Sequence, residues 1–413
     1  MAREIVVMGA GMVGVSVAWH LARRGHSVTL VDRREPGRET SFGNAGIIQR
    51  EAVQPYPFPR DLATMLRVLP NRQVDIRYRP GGMLQSAGPL LQYWQNSSPK
   101  RYARIVPEYA SLICLSLDAH APMVEAAGAE HLVRKEGWLE VYRSQEAMAA
   151  RLRDAEANAE RFGVRYRALD VGELAAMEPS LATDLAGAIH WEQPWTVADP
   201  GALVQAYAKS FEAEGGRVRQ TEVKDVARQG SGWRVSTQEG VLEAEQLVMA
   251  MGPWARDWLS GLGLDIPLFV KRGYHMHYGT TGTARLGHWV MDAEVGYLLA
   301  PMQAGIRLTT GAELERLEAP PHLEQLAAAE RVARRLFPLG ERLDPEPWKG
   351  ARPCTPDMKP VIGPAPGQEG LWLALGHGHQ GFTLGPATGR LLAQMMDGEQ
   401  AEIDMAPFRA ERF

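Results

Sequence analysis

Gly9, Gly11 and Gly14 form G-x-G-x-x-G directly behind an apolar strand, ahead of a helix carrying Val13, Val17, Ala18 and Leu21 on one side. This spacing suits a pyrophosphate. Gly9 makes a tight turn, Gly11 lets backbone approach the phosphates, and Gly14 lets the helix pack closely on the strands. Ala10, Met12 and Val13 sit in the same turn, where free N–H groups and a positive dipole end face phosphate oxygens. A second apolar strand ends on Asp32, 18 residues beyond Gly14, where a carboxylate can accept hydrogen bonds from a ribose diol. The same glycines could make an ordinary turn. Strand before, helix after and acid at the next strand end favour a bound dinucleotide.

The elements around this unit set the wider frame. At 413 residues the chain is long for one domain, and two are expected. A net charge of −4 argues against a nucleic-acid partner. Two cysteines, Cys114 and Cys354, point to a reducing compartment rather than a disulfide framework. The first strand begins by Glu4, so no signal peptide is expected, and no apolar run is long enough to span a membrane. A cytoplasmic protein is the expectation, with peripheral contact on the inner membrane face left open.

After the opening β-α-β unit comes a small-residue loop, Thr40 to Gly46, suited to wrapping a ligand. Helical spacing follows over 84–95, 103–127 and 146–162, with a strand near 137–142. Asp199-Pro200 predicts a capped helix over 199–213. Strands are expected over 217–227, 232–237 and 246–251, then an alternating, antiparallel block between 266 and 314. A helix over 323–336 precedes a closing strand, glycine loop and helix. The pattern predicts an α/β (α+β) protein whose two domains are each assembled from separated segments.

Three later segments bear on which dinucleotide is held: Gln246–Met251 running into Gly252-Pro253-Trp254, Trp348 to Asp357 ahead of Pro360-Val361-Ile362-Gly363, and Gly376-His377-Gly378-His379-Gln380-Gly381-Phe382-Thr383. With the opening motif, these resemble the D-amino-acid oxidase superfamily of FAD enzymes along nearly the whole chain. The match is most similar to bacterial D-amino-acid dehydrogenases, with D-hydroxyproline dehydrogenases and glycine oxidases as neighbours. The resemblance implies a Rossmann-type FAD domain from 1–50, 145–262 and 348–413. It also implies an antiparallel-sheet substrate domain from 51–144 and 263–347.

Carried over residue by residue, the resemblance places Gly9, Gly11 and Gly14 at the pyrophosphate, Asp32 at the adenosine ribose and Arg33 beside the adenine. Ser41, Asn44, Ala45 and Gly46 would flank the pyrophosphate and flavin. Val223 would meet adenine through its backbone, and Ala250, Met251, Gly252 and Trp254 would line the same cofactor. Gly376, Gly378, His379, Gln380, Gly381, Phe382 and Thr383 would run along the isoalloxazine, with the closing helix aimed at its N1–C2=O edge. Sarcosine oxidases carry a flavin-linking cysteine in this part of the chain, but that position falls on Gly350, so FAD is expected to be non-covalent.

For the substrate, Arg352 in Gly-Ala-Arg-Pro matches the family position whose planar fork holds a carboxylate. Tyr297 resembles a second carboxylate contact of the glycine oxidase branch, with Tyr274 and His379 as further candidates. Each tyrosine could equally be a half-buried sheet residue. His275/His277 and His377/His379 are spaced for one face of a strand but lack further ligands, so no metal is expected. The implied reaction is hydride transfer from the α-carbon of a D-amino acid to flavin N5. Tyr56, Phe58, Met276 and Trp289, with the two tyrosines, suggest neutral or cyclic D-amino acids, including proline-type ones, ahead of D-aspartate or D-glutamate. Electrons would pass to quinone or a similar carrier. Alternatives are a glycine- or sarcosine-type amine oxidase using oxygen, the flavin subunit of a heteromeric dehydrogenase, and an NAD enzyme.

Overall fold

The computed structural model describes residues 2–413. Strand β1 (Glu4–Met8), helix α1 (Met12–Ala22) and strand β2 (Ser27–Asp32) form the expected opening unit. β1 and β2 lie inside a six-stranded sheet ordered Arg217–Gln220, β2, β1, Gln246–Met249, Leu371–Leu375, Val361–Pro364. The first five strands run parallel and the last is antiparallel. Four strands drawn from between residues 217 and 375 thus join a sheet begun by the first 32, which is why the domain is discontinuous.

Apolar residues Val15, Val17 and Leu21 of α1 are fully buried against the helices Pro200–Ala213 and Gly381–Met396. The helix Pro200–Ala213 starts as its sequence predicts: Asp199 Oδ1 accepts from the Ala202 N–H at 2.9 Å, with Pro200 in the first turn. The apolar stretch expected as one helix over 103–127 is two, Pro99–Cys114 and Ser116–Ala126, broken at Leu115.

A second, larger sheet of eleven strands centres on Phe269–Thr280, which pairs antiparallel with Gly305–Thr309, Leu339–Arg342 and Trp348–Cys354. The amphipathic helix Glu324–Leu336 covers its outer face through Leu326, Ala329, Ala333 and Leu336. Its inner face meets the dinucleotide-type domain.

Sheet membership departs from the segment boundaries expected from sequence. Tyr166–Leu169 and Gly187–Trp191 continue the large sheet beyond Trp138–Tyr142, so the part of 145–262 up to residue 191 lies with the substrate side. Trp348–Cys354 also belongs to the large sheet. The helices Pro99–Cys114 and Ser116–Ala126 instead pack against the closing helix. There His120 bridges the Tyr207 hydroxyl (3.0 Å) and the Phe382 carbonyl (3.1 Å). Strand pairing partners, rather than chain order, decide these memberships.

Candidate active site

A cavity of about 1050 Å³ runs from the carboxyl ends of β1 and β2 to the inner face of the large sheet. At its first end, Gly9 has φ +104°, and a Cβ there would overlap the Ala250 carbonyl oxygen. A Cβ at Gly14 would overlap the Gly9 carbonyl oxygen, so the turn and the helix close on each other only without side chains. Asp32 is locked by backbone: Oδ2 accepts from the Ala10 N–H (2.7 Å) and Oδ1 from the Arg34 N–H (3.0 Å). Its remaining lone pairs face the cavity, as a ribose diol requires. Arg33 stacks over the Trp254 ring at 4.6 Å and bonds Glu39, making with Val223 and Gly252 a wall for a planar base.

The next stretch of wall is Gly11, Met12 and Val13, with Ser41, Asn44 and Ala45 opposite. Ser41 Oγ accepts from the Met12 N–H at 3.0 Å and ties the loop to the helix start. Ala250 and Met251 line the other side, and Gly376, Gly378, His379, Gly381 and Phe382 close the far end. Five expected residues stand behind the wall. Ala10 serves Asp32, Gly14 packs under Gly9, and Gly46 packs on the Val197 carbonyl. Gln380 donates to Gln49 Oε1 (2.8 Å), and Thr383 Oγ1 accepts from the Gln49 N–H (3.1 Å). The closing helix begins at Gly381, so its positive end faces the cavity.

These features fit a dinucleotide with a flavin at the inner sheet: a glycine turn on the cavity wall, a ribose acceptor, a base shelf and a helix terminus. Gly350 offers no side chain there and lies against Trp348. Trp348 stacks on His275 at 4.9 Å between ring centroids.

On the large sheet the expected substrate residues divide by strand face. Arg352 points to the inner face and lines the cavity. Its Nη1 donates to the Gly311 carbonyl (3.0 Å), and its Nη2 lies where a Cβ on Gly273 would come within 2.6 Å. Tyr274 and Tyr297 border the cavity, but their rings lie in the outer core beneath the helix Glu324–Leu336. The Tyr274 hydroxyl donates to Glu313 Oε2 (2.6 Å) and accepts from Arg272 Nη2 (2.7 Å) and the His322 N–H (3.0 Å). The charged neighbours of the Tyr297 hydroxyl are Asp292 and Arg143, which pair with each other away from the cavity. Neither hydroxyl is offered to a substrate. Side chains alternate along a strand, so the residue next to Tyr297 on the cavity side is Leu298.

His379 lies in the cavity with its ring 5.1 Å from Tyr56. Burial, reinforced by the Arg352 and Lys271 cations, lowers its pKa to about 3, so it is neutral there. Tyr56 and Phe58 line the cavity as expected, whereas Met276 sits in the outer core. Trp289 acts from behind: its Nε1 donates to the Ala45 carbonyl at 2.7 Å. The two histidine pairs are also accounted for. His377 is buried against Thr388, His275 stacks on Trp348, and His277 bridges Asp344 and Arg307.

Sequence reasoning missed Arg307 and Lys271. Arg307 donates to His277 Nε2 (3.0 Å) and to the carbonyls of Phe42 (3.1 Å) and Asn44 (2.6 Å), which fixes a loop that lines the cavity. The alternation of Gly-Ile-Arg-Leu-Thr was the available signal, because it puts a cation on the face opposite Ile306 and Leu308.

A family model described as FAD dependent oxidoreductase matches residues 4–395. The chain belongs to this family. Among curated relatives, this FAD-dependent oxidoreductase is 30% identical over 427 residues to a D-amino acid dehydrogenase of Bradyrhizobium diazoefficiens, covering 99% of both chains. It is 33% identical over 422 residues to a D-amino acid dehydrogenase of Cereibacter sphaeroides, covering 99% of this chain and 95% of that one. Its fold is similar to glycine oxidase from Geobacillus kaustophilus, with a TM-score of 0.76 at 24% identity, covering 100% and 99% of the two chains. FAD is therefore its cofactor, and the residues of the Gly9–Asp32 unit fit that group. No helix among the described residues is long and apolar enough to cross a membrane.

Proposed function

We propose that this FAD-dependent oxidoreductase dehydrogenates D-amino acids. The observation that carries the reading is Arg352. Its guanidinium lines the cavity, bonded among the described residues only to backbone carbonyls, beside the glycine loop that ends on Phe382. A planar fork held this way suits an α-carboxylate. FAD, when bound, accepts the hydride from Cα, leaving an imino acid that water hydrolyses to an oxo acid and ammonia, or a cyclic imine from a proline-type substrate. Arg352 would hold the carboxylate and so orient Cα, while Tyr56, Phe58 and Leu298 keep the surroundings apolar. The positive end of the helix Gly381–Met396 would stabilise negative charge developing on the ring system. FAD is held without a covalent link, and acid precipitation should leave the yellow chromophore in the supernatant.

The acceptor in this reading is a quinone or similar carrier. The helix Leu62–Val68 buries none of its residues, yet Met65 and Val68 border the cavity. Leu62 is 71% and Leu66 58% exposed, with Arg60 and Arg72 exposed on either side. An apolar helix flanked by cations suits peripheral contact with an anionic bilayer.

The test is an anaerobic panel of D- and L-amino acids followed by flavin bleaching, repeated with an artificial acceptor and with oxygen. Bleaching by D-amino acids supports the reading, and preference for L-substrates overturns it. Peroxide formation as fast as dye reduction would favour the oxidase alternative.

A further inference from the structure

The register of the large sheet sets a second cation beside Arg352. Lys271 stands directly opposite it in the antiparallel pairing of Phe269–Thr280 with Trp348–Cys354. Directly opposed residues share a sheet face, with Cβ atoms about 5 Å apart. Both side chains line the cavity.

Neither forms an ion pair among the described residues. Arg352 donates to the carbonyls of Gly311 and Thr310, and Lys271 Nζ donates to the Tyr93 hydroxyl at 3.1 Å. Tyr93 in turn spends its own proton on the Tyr56 carbonyl at 2.5 Å. Nearby, Arg272 pairs with Glu313 at 2.7 Å and Lys359 with Glu108 at 2.5 Å, whereas Lys349 and Arg307 donate to backbone carbonyls and His277. Around the Lys271 ammonium are the rings of Tyr93 (4.4 Å) and Phe269 (5.6 Å), members of an apolar cluster with Leu90 and Leu314. A cation kept among apolar groups without a counter-ion is costly unless a ligand supplies one.

The two heads diverge. Arg352 Nη2 lies over Gly273, whereas Lys271 Nζ leans the other way along the strand, towards Phe269. With the heads turned opposite ways along the strand, a ligand carrying two carboxylates can offer one to each.

We propose that Lys271 forms a second anion subsite that admits D-amino acids with a side-chain carboxylate. The α-carboxylate binds Arg352 and the distal one Lys271. This rests on the dehydrogenase reading above and extends its substrates to the dicarboxylic class, beside neutral ones.

The experiment compares the holoenzyme with Lys271→Met and Lys271→Gln, checked for equal FAD content. D-alanine, D-aspartate and D-glutamate are assayed with an artificial acceptor, and flavin absorbance is titrated with glutarate. Loss of a buried charge pair predicts that the ratio of kcat/KM for D-glutamate or D-aspartate to that for D-alanine falls roughly 30-fold or more, mainly through KM. Glutarate affinity should fall in parallel. Turnover of D-alanine without either acidic substrate, or an equal loss for all three, overturns the subsite. If no D-amino acid reacts, the dehydrogenase reading fails instead. The glutarate titration still decides the subsite: weaker binding in both variants supports it, and unchanged binding overturns it.

Discussion

The guanidinium of Arg307 donates to the carbonyl oxygen of Asn44 at 2.6 Å, joining the large sheet to the loop that follows the first β-α-β unit. Arginine can only donate, so His277 Nε2 must accept from Arg307 Nε, which leaves Nδ1–H to bond Asp344. A line of four groups therefore fixes this cavity-lining loop from the far domain.

Arg307→Met should loosen that loop and weaken FAD binding. Hydrogen bonds to a charged group are worth about 1.5–3 kcal/mol, so FAD dissociation should rise roughly 10- to 100-fold. Flavin fluorescence recovery on dilution reads this directly. Unchanged FAD affinity and melting temperature would contradict the role.

Arg352→Ala should leave FAD bound but cripple use of the amino acid. Breaking a desolvated charge pair typically costs about 2–5 kcal/mol, or roughly 30- to 4,000-fold in kcat/KM. Arg352→Lys should also suffer, because an ammonium cannot offer the planar fork. Full activity in the alanine variant would refute the assignment.

The two sheet tyrosines should behave differently from each other, and neither as a substrate contact. Tyr274→Phe strips Glu313 and the His322 N–H of a buried partner and should cost about 1–3 kcal/mol of stability. Tyr297→Phe removes a hydroxyl that has no hydrogen-bond partner among the described residues, and stability should move by less than about 0.5 kcal/mol. KM should be unchanged in both. A large KM increase in Tyr297→Phe would restore it as a carboxylate contact.

Acid should destabilise the fold through its buried histidines, against one opposing group: burial first of all raises the Glu51 carboxyl to about 7, which favours the folded state as pH falls. Burial first of all holds His120, His275 and His377 neutral, at pKa values of about 4, about 2 and about 3. Unfolded histidine titrates near 6.5, so below that pH the unfolded chain takes up protons that the folded one refuses. Their contribution is complete above about pH 6.5 and is lost as pH falls towards the folded values. Each contributes about 1.4 kcal/mol per pH unit once the unfolded form is protonated. Denaturant midpoints between pH 7 and 5 check this, and a flat profile would contradict it.

Local chemistry is what the sequence by itself determined. Gly9, Gly14 and Asp32 are constrained within 24 residues, because the tight turn, the close helix and the strand-end acid all depend on near neighbours. The cap at Asp199 and the amphipathic helix Glu324–Leu336 are legible for the same reason. Arg352 was reachable through motif resemblance. Facing and partnership were decided only by the tertiary structure. Whether Tyr274 and Tyr297 look into the cavity depends on strand parity, and a shift of one residue exchanges the faces, so Leu298 rather than Tyr297 lines the inner side. Tyr166–Leu169 and Gly187–Trp191 join the large sheet because its edge at Trp138–Tyr142 is there to be paired. Lys271 and Arg352 are 81 positions apart in the chain, and only antiparallel register brings their charges to one face. Such pairings rest on hydrogen bonds between distant backbones, which no local pattern of side chains encodes.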